Sequence, residues 1–179
     1  EINPSFLRSA QSERDFNDPH PFSRYAMTDF ARSCLERVAK GLKSNSSQRA
    51  WRMTGDYGSG KSSFALLLAH WFAGNDSSFP PQIRKAVDFH RFGVQKPHFV
   101  PVLVTCSKQP LGTSILKSLH RTLTQIYGRG KKLNLAVELE QLLTGKHEPS
   151  DDQVLDALLE VNSRIITDSK GNGLMLILD

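Results

Sequence analysis

Apolar positions along the chain fall into blocks of distinct period. From Arg24 to Leu42 they recur at helical spacing, at Tyr25, Met27, Phe30, Cys34, Leu35, Val38 and Leu42, which predicts an amphipathic helix ending near Gly41. The polar stretch KSNSSQ (43–48) follows as a loop. Ala50 to Thr54 is short, apolar and followed by glycine, and reads as a strand. Lys61 to Phe72 is apolar almost all round, as in a helix buried in a core, and GNDSSFPP (74–81) stops it. A short helix is placed around Ile83 to Phe89. FVPVLVT (99–105) is a β-rich run with Pro101 near its start, where proline is best tolerated. Ile115, Leu116, Leu119, Leu123 and Ile126 mark an amphipathic helix over 113–127 with Thr113 as its N-cap, and 132–143 also reads as helical. Ser150 and Gln153 form a capping-box pair ahead of Val154, Leu155, Leu158, Val161 and Ile165. GNG (171–173) then turns the chain into LMLILD (174–179), a continuous apolar strand ending in aspartate. Strands alternating with helices imply an α/β fold whose mostly parallel sheet is covered on both faces.

Between the apolar blocks AWRM and FALLLAHWF stands GDYGSGKS (55–62), which fits the pattern G-x-x-x-x-G-K-[ST] of a phosphate-binding loop. The chemistry explains the residue types. A triphosphate is a dense anion, and successive backbone N–H groups wrap it only where side chains do not intrude. Gly55, Gly58 and Gly60 leave that room and permit positive φ. Asp56, Tyr57 and Ser59 complete the loop. The helix that follows aims its unpaired N–H groups and positive dipole end at the phosphates. Lys61 reaches the β and γ oxygens, Ser62 offers a hydroxyl oxygen to Mg²⁺, and Ser63 adds an N–H or hydroxyl near the α-phosphate. Tyr57 is read either as approaching a phosphate or as packing over the loop. Chance produces such a match in roughly one chain of this length in a hundred or fewer.

Composition changes this picture little. The chain has 179 residues, 39% of them apolar, and a formal net charge of +5. That charge suits a nucleic-acid partner and suits an ordinary soluble domain as well. No apolar run approaches the length needed to cross a bilayer, and EINPSFLRSAQSERDF has no signal-peptide core. Cys34 and Cys106 show no metal spacing, and a reducing, cytoplasmic interior is the simpler reading. The six histidines are scattered, none at ligand spacing from another His or Cys. Residues 1–23, polar and with prolines at 4, 19 and 21, read as an irregular arm.

The pair GDYGSGKS and LMLILD resembles a P-loop NTPase, in the class that includes the AAA+ and STAND ATPases. One strand, FVPVLVT, lies between the two motifs in sequence, as in that class. The resemblance implies a three-layer αβα fold over residues 24–179, with Walker A at 55–62 and Walker B at 174–179. It also implies that the chain, stopping after the Walker B strand, is the N-terminal part of a larger ATPase. The implied cofactors are ATP and Mg²⁺. Gly55, Asp56, Tyr57, Gly58, Ser59, Gly60, Lys61, Ser62 and Ser63 are the implied nucleotide site. Ser62 and Asp179 are the implied metal ligands, and Lys61 and Asp179 the implied catalytic residues. An upstream segment often lines the adenine pocket in such ATPases, which directs attention to Pro21–Tyr25.

The function implied is ATP binding and Mg²⁺-dependent hydrolysis driving a motor or switch, in a DNA-associated or genome-defence setting. The alternatives are a nucleotide-dependent scaffold with little hydrolysis and a small-molecule kinase. A GTPase is disfavoured because no N-K-x-D or T-K-x-D motif is present and DSKG (168–171) precedes the last strand. Beyond ATP, candidate partners are a second copy of the chain, DNA or another protein, and no membrane is expected. The basic stretches RGKK (129–132) and Arg84, Lys85, His90 and Arg91 read as solvated or as phosphate contacts.

Overall fold

A computed structural model of the chain describes residues 11–18, 20–23, 25–43, 45–106, 108–128, 134–145 and 147–179. It divides into two compact units, one running to Pro97 and one from His98 to Asp179. The described residues form seven α-helices and one two-stranded parallel sheet. The fold is thus mixed α and β with parallel pairing, in a sheet smaller than the sequence pattern implies.

The first unit holds four helices. Helix α1 (Ser12–Asp15) is a single turn inside the stretch expected to be irregular. Helix α2 (Asp29–Gly41) begins five residues later than the apolar spacing suggests. Its start is set by Thr28, whose Oγ1 accepts the Ala31 N–H at 3.1 Å, so Tyr25 and Met27 lie ahead of the helix. Helix α3 (Lys61–Phe72) has the expected bounds and buries Phe64, Leu66, Leu67, Ala69, His70, Trp71 and Phe72. Helix α4 (Pro81–Ala86) opens on proline, which needs no N–H partner there. The expected helix around Ile83–Phe89 is thereby cut in two. A 3₁₀ turn, Phe89–Phe92, follows, with the Asp88 carboxylate accepting the His90 N–H at 3.0 Å.

Aromatic packing closes this unit. Trp71 stacks on Phe89 at 4.2 Å between centroids, and its indole N–H donates to the Val87 carbonyl. Phe22, fully buried, packs between His70 and Phe79, with centroids 5.1 Å from each. The N-terminal arm is therefore stitched to α3 by side chains that its polar composition conceals.

Ala50–Thr54 forms no strand. Every residue from Ser47 to Gly60 is exposed, and none enters a β-ladder. A lone strand cannot satisfy its own backbone, so an apolar pentapeptide becomes a strand only where a neighbouring strand receives it. Here the segment is tied to α2 instead. The Arg49 guanidinium donates to the carbonyls of Gly41, Gln48 and Lys43, closing the C-terminus of that helix. The Trp51 ring sits where a side chain on residue 41 would be, so the contact requires glycine there.

In the second unit, strands β1 (Val100–Val104) and β2 (Leu174–Leu178) pair in parallel, Val102 opposite Leu176. Helices α5 (Leu111–Tyr127), α6 (Asn134–Thr144) and α7 (Asp151–Thr167) lie between them in sequence. Helix α5 starts at Leu111, directly after Pro110, so Thr113 lies inside it and is not the cap. The expected capping box opens α7: the Ser150 Oγ accepts the Gln153 N–H at 3.3 Å, and the Gln153 Oε1 accepts the Ser150 N–H at 2.9 Å. Val100, Val102 and Val104 pack with Leu116, Leu119, Leu123, Leu139, Val161 and Ile165 into one core.

Candidate functional site: the glycine loop and the end of strand β2

The loop Gly55–Ser62 has the backbone that its glycines foretell. Gly58 and Gly60 both take left-handed φ, 79° and 85°, and a Cβ at either would meet nothing within 4 Å. It is conformation, not crowding, that demands glycine at these two positions. Gly55 answers to a different constraint, because a Cβ there would lie 2.9 Å from the Ser59 Oγ. Gly60 is the N-cap of α3 and offers no side-chain cap. The Gly60 carbonyl accepts the Phe64 N–H at 2.9 Å, the first bond of the helix.

Lys61 folds back over this loop. Its Nζ donates to the Gly55 and Asp56 carbonyls, each at 2.8 Å, with the Ser59 Oγ at 3.4 Å. The Ser59 N–H closes the turn on the Asp56 carbonyl at 3.2 Å. One ammonium, near the end of the loop, thus ties back to the carbonyls of its first two residues. Ser62 and Ser63 occupy the first turn of α3, both half-buried. Tyr57 is 96% exposed, so it does not pack over the loop.

Asp179 stands in the second unit, directly after β2. Its N–H donates to the Val104 carbonyl and its carbonyl accepts the Cys106 N–H, each at 2.9 Å, so the residue continues the ladder with β1. Two asparagines fasten the start of β2. The Asn162 Oδ1 accepts the Leu174 N–H at 2.8 Å, and the Asn172 Oδ1 accepts the His98 N–H at 2.7 Å. Neither asparagine stands out in sequence, because each acts on a backbone group of a different element. The structure therefore gathers Gly55 to Ser63 into one loop and helix start, and carries Asp179 on a separate unit.

Other expected contacts resolve differently. Phe22 is a packing residue, while Tyr25 is half-buried and its phenol is pushed up to about 12, first by burial and then by the neighbouring Cys34 thiol. Arg84 and Arg91 donate to the backbone carbonyls of Phe79 and Lys85 at 3.1 and 3.0 Å, a local structural use of both. RGKK (129–132) lies outside the described residues. Asp168, the aspartate of DSKG, accepts from the Tyr127 hydroxyl at 2.9 Å and from the Arg164 guanidinium at 2.7 Å. Those partners, the tyrosine first, hold its carboxyl below the ordinary range. It works as a tie between α5 and α7. Both cysteines are free thiols. Among the described residues no cluster of His, Cys, Asp and Glu is arranged to hold a metal, and no helix is long and apolar enough to cross a membrane. The chain matches no protein-family model, no curated protein and no solved structure.

Proposed function

We propose that the chain binds ATP with Mg²⁺ through Gly55–Ser63 and that, within a P-loop NTPase domain of three-layer αβα architecture, it takes part in ATP hydrolysis. The observation that carries this reading is the loop itself. Two glycines in left-handed backbone, at the start of a buried helix with no side-chain cap, precede a lysine whose ammonium folds back onto the loop's own carbonyls. A turn shaped only to connect two elements needs neither the paired left-handed glycines nor the inturned cation.

The donor set suits the ligand. Backbone N–H groups and an ammonium are what phosphate oxygens take, and the Ser62 hydroxyl and Asp179 carboxylate are the hard oxygens that Mg²⁺ prefers. When bound, Mg²⁺ supplies charge neutralisation on the terminal phosphates. The remaining work falls to the chain. Lys61 exchanges two neutral carbonyl partners for charged phosphate oxygens, which are stronger acceptors. The loop amides hold the phosphate chain in a fixed pose without reorganising during reaction. Catalysis on this reading is positioning together with charge stabilisation.

Isothermal titration with ATP and Mg²⁺ tests the proposal. The wild-type chain is expected to bind, and Lys61→Ala to weaken binding roughly 10–100-fold, the worth of a hydrogen bond to a charged group. Equal affinities for the two proteins would refute the assignment.

A further inference from the structure

We propose that the first unit carries a binding surface for the backbone of duplex nucleic acid, formed where the end of α2 meets α4 and the 3₁₀ turn, with Lys43, Lys85 and Arg91 as its phosphate contacts. This surface owes nothing to the glycine loop. Charge is unevenly divided along the chain. Residues 1–97 hold fourteen lysines and arginines against nine aspartates and glutamates, and residues 98–179 hold nine of each. The net charge of +5 therefore belongs wholly to the first unit. Asp88 is the one acidic residue between Asp76 and Glu138, a stretch with ten lysines and arginines.

The fold draws part of this charge together. Helix α2 packs on the 3₁₀ turn. Lys43, two residues past the helix, reaches that turn: a Cβ on Gly93 would lie 3.8 Å from the Lys43 Nζ. Arg91, within the turn, donates from Nη1 to the Lys85 carbonyl at 3.0 Å, which ties the turn to the end of α4. Three cations from three separate segments thus share one surface. All three are exposed, and among the described residues none has an acidic partner. Asp88, the acid nearest in sequence, is turned to local use, its carboxylate accepting the His90 N–H at 3.0 Å. Lys40 pairs with Glu36 at 2.7 Å and stands outside the set.

Charge and the absence of apolar side chains select the occupant. Cations gathered without counter-charges repel one another, and a polyanion relieves that repulsion. A duplex presents one negative charge per about 1.7 Å of its axis, dense enough to meet all three. Arg91, with one N–H held by a carbonyl, keeps its remaining donors as a fixed fork of the kind that phosphate accepts. The exposed large apolar side chains of this unit are Phe30, Trp51, Met53 and Tyr57, none of them on α4 or the 3₁₀ turn. The surface therefore has no platform on which unpaired bases stack, and no apolar anchor for a lipid bilayer. Contacts to phosphates alone carry no base information, so recognition here is independent of sequence.

Fluorescence anisotropy with labelled DNA and RNA duplexes of mixed sequence, in the absence of nucleotide, reads the outcome. Binding is expected, with affinity falling as salt rises at a logarithmic slope of about −3, one step for each phosphate contact. Lys85→Ala should bring that slope about one unit closer to zero on every duplex. Lys43→Glu combined with Lys85→Glu should weaken binding roughly tenfold or more, whereas Lys108→Glu combined with Lys117→Glu, the same charge change placed on the second unit, should shift it by less than about twofold. All four lysines are exposed, so the far-ultraviolet circular dichroism should be unchanged throughout. Single-stranded DNA and vesicles of phosphatidylserine with phosphatidylcholine should bind more weakly than the duplexes. Failure to bind either duplex at low salt would overturn the proposal. So would an equal loss from the two double variants, or a preference for the single strand or the vesicles.

Discussion

Buried among Phe16, Phe22 and Phe79, His70 spends its Nδ1 on the Ser78 hydroxyl at 3.0 Å. Burial pushes its pKa down from 6.5 to about 4, against a weaker opposing pull from the Phe16 backbone. Between those values the unfolded chain takes up the proton first. Stability is therefore full above about pH 6.5 and is lost as pH falls toward 4, by up to about 3 kcal/mol. Urea titrations at neutral pH and near pH 4.5 should record that loss, and His70→Phe should remove most of it. A variant with the same pH slope as wild type would show that other groups carry the acid sensitivity. Residues with local duties were legible in sequence. Gly58, Gly60 and Lys61 act within their own turn, and the residue types alone announce the backbone they need. His70 was not, because its partners come from positions 16, 22 and 79 and only the folded chain assembles them.

The same distinction holds for elements. Helix α7 could be placed from Ser150 and Gln153 because a capping box is written within four consecutive residues. Ser150→Ala should cost about 1 kcal/mol, seen in thermal unfolding as a midpoint lower by about 2–4 °C. An unchanged midpoint would mean that core packing alone fixes the start of α7. Where two local signals competed, the nearer to the turn prevailed, as when Pro110 opened α5 ahead of Thr113 and Thr28 opened α2 after Tyr25 and Met27. Strands behaved otherwise. FVPVLVT and LMLILD each found the other and formed a ladder, whereas AWRMT found no ladder and stayed exposed. A strand is a property of two segments, and a single segment cannot declare it.

For the whole molecule, the glycine loop belongs to the first unit and Asp179 to the second. Their contributions are separable by experiment. ATP affinity should rise with Mg²⁺ in the wild-type chain, and Asp179→Asn should lose that rise while still binding metal-free ATP. The main-chain bonds of residue 179 to Val104 and Cys106 survive the substitution, so the effect isolates the carboxylate. If Asp179→Asn kept the full Mg²⁺ response, the metal would owe nothing to this side chain. The guanidinium of Arg49 finishes helix α2 and also moors the lead-in to the glycine loop, with the Trp51 ring wedged against Gly41. Helix α2 and the segment leading into the glycine loop are thus fastened together at one point, so neither can be displaced there without the other.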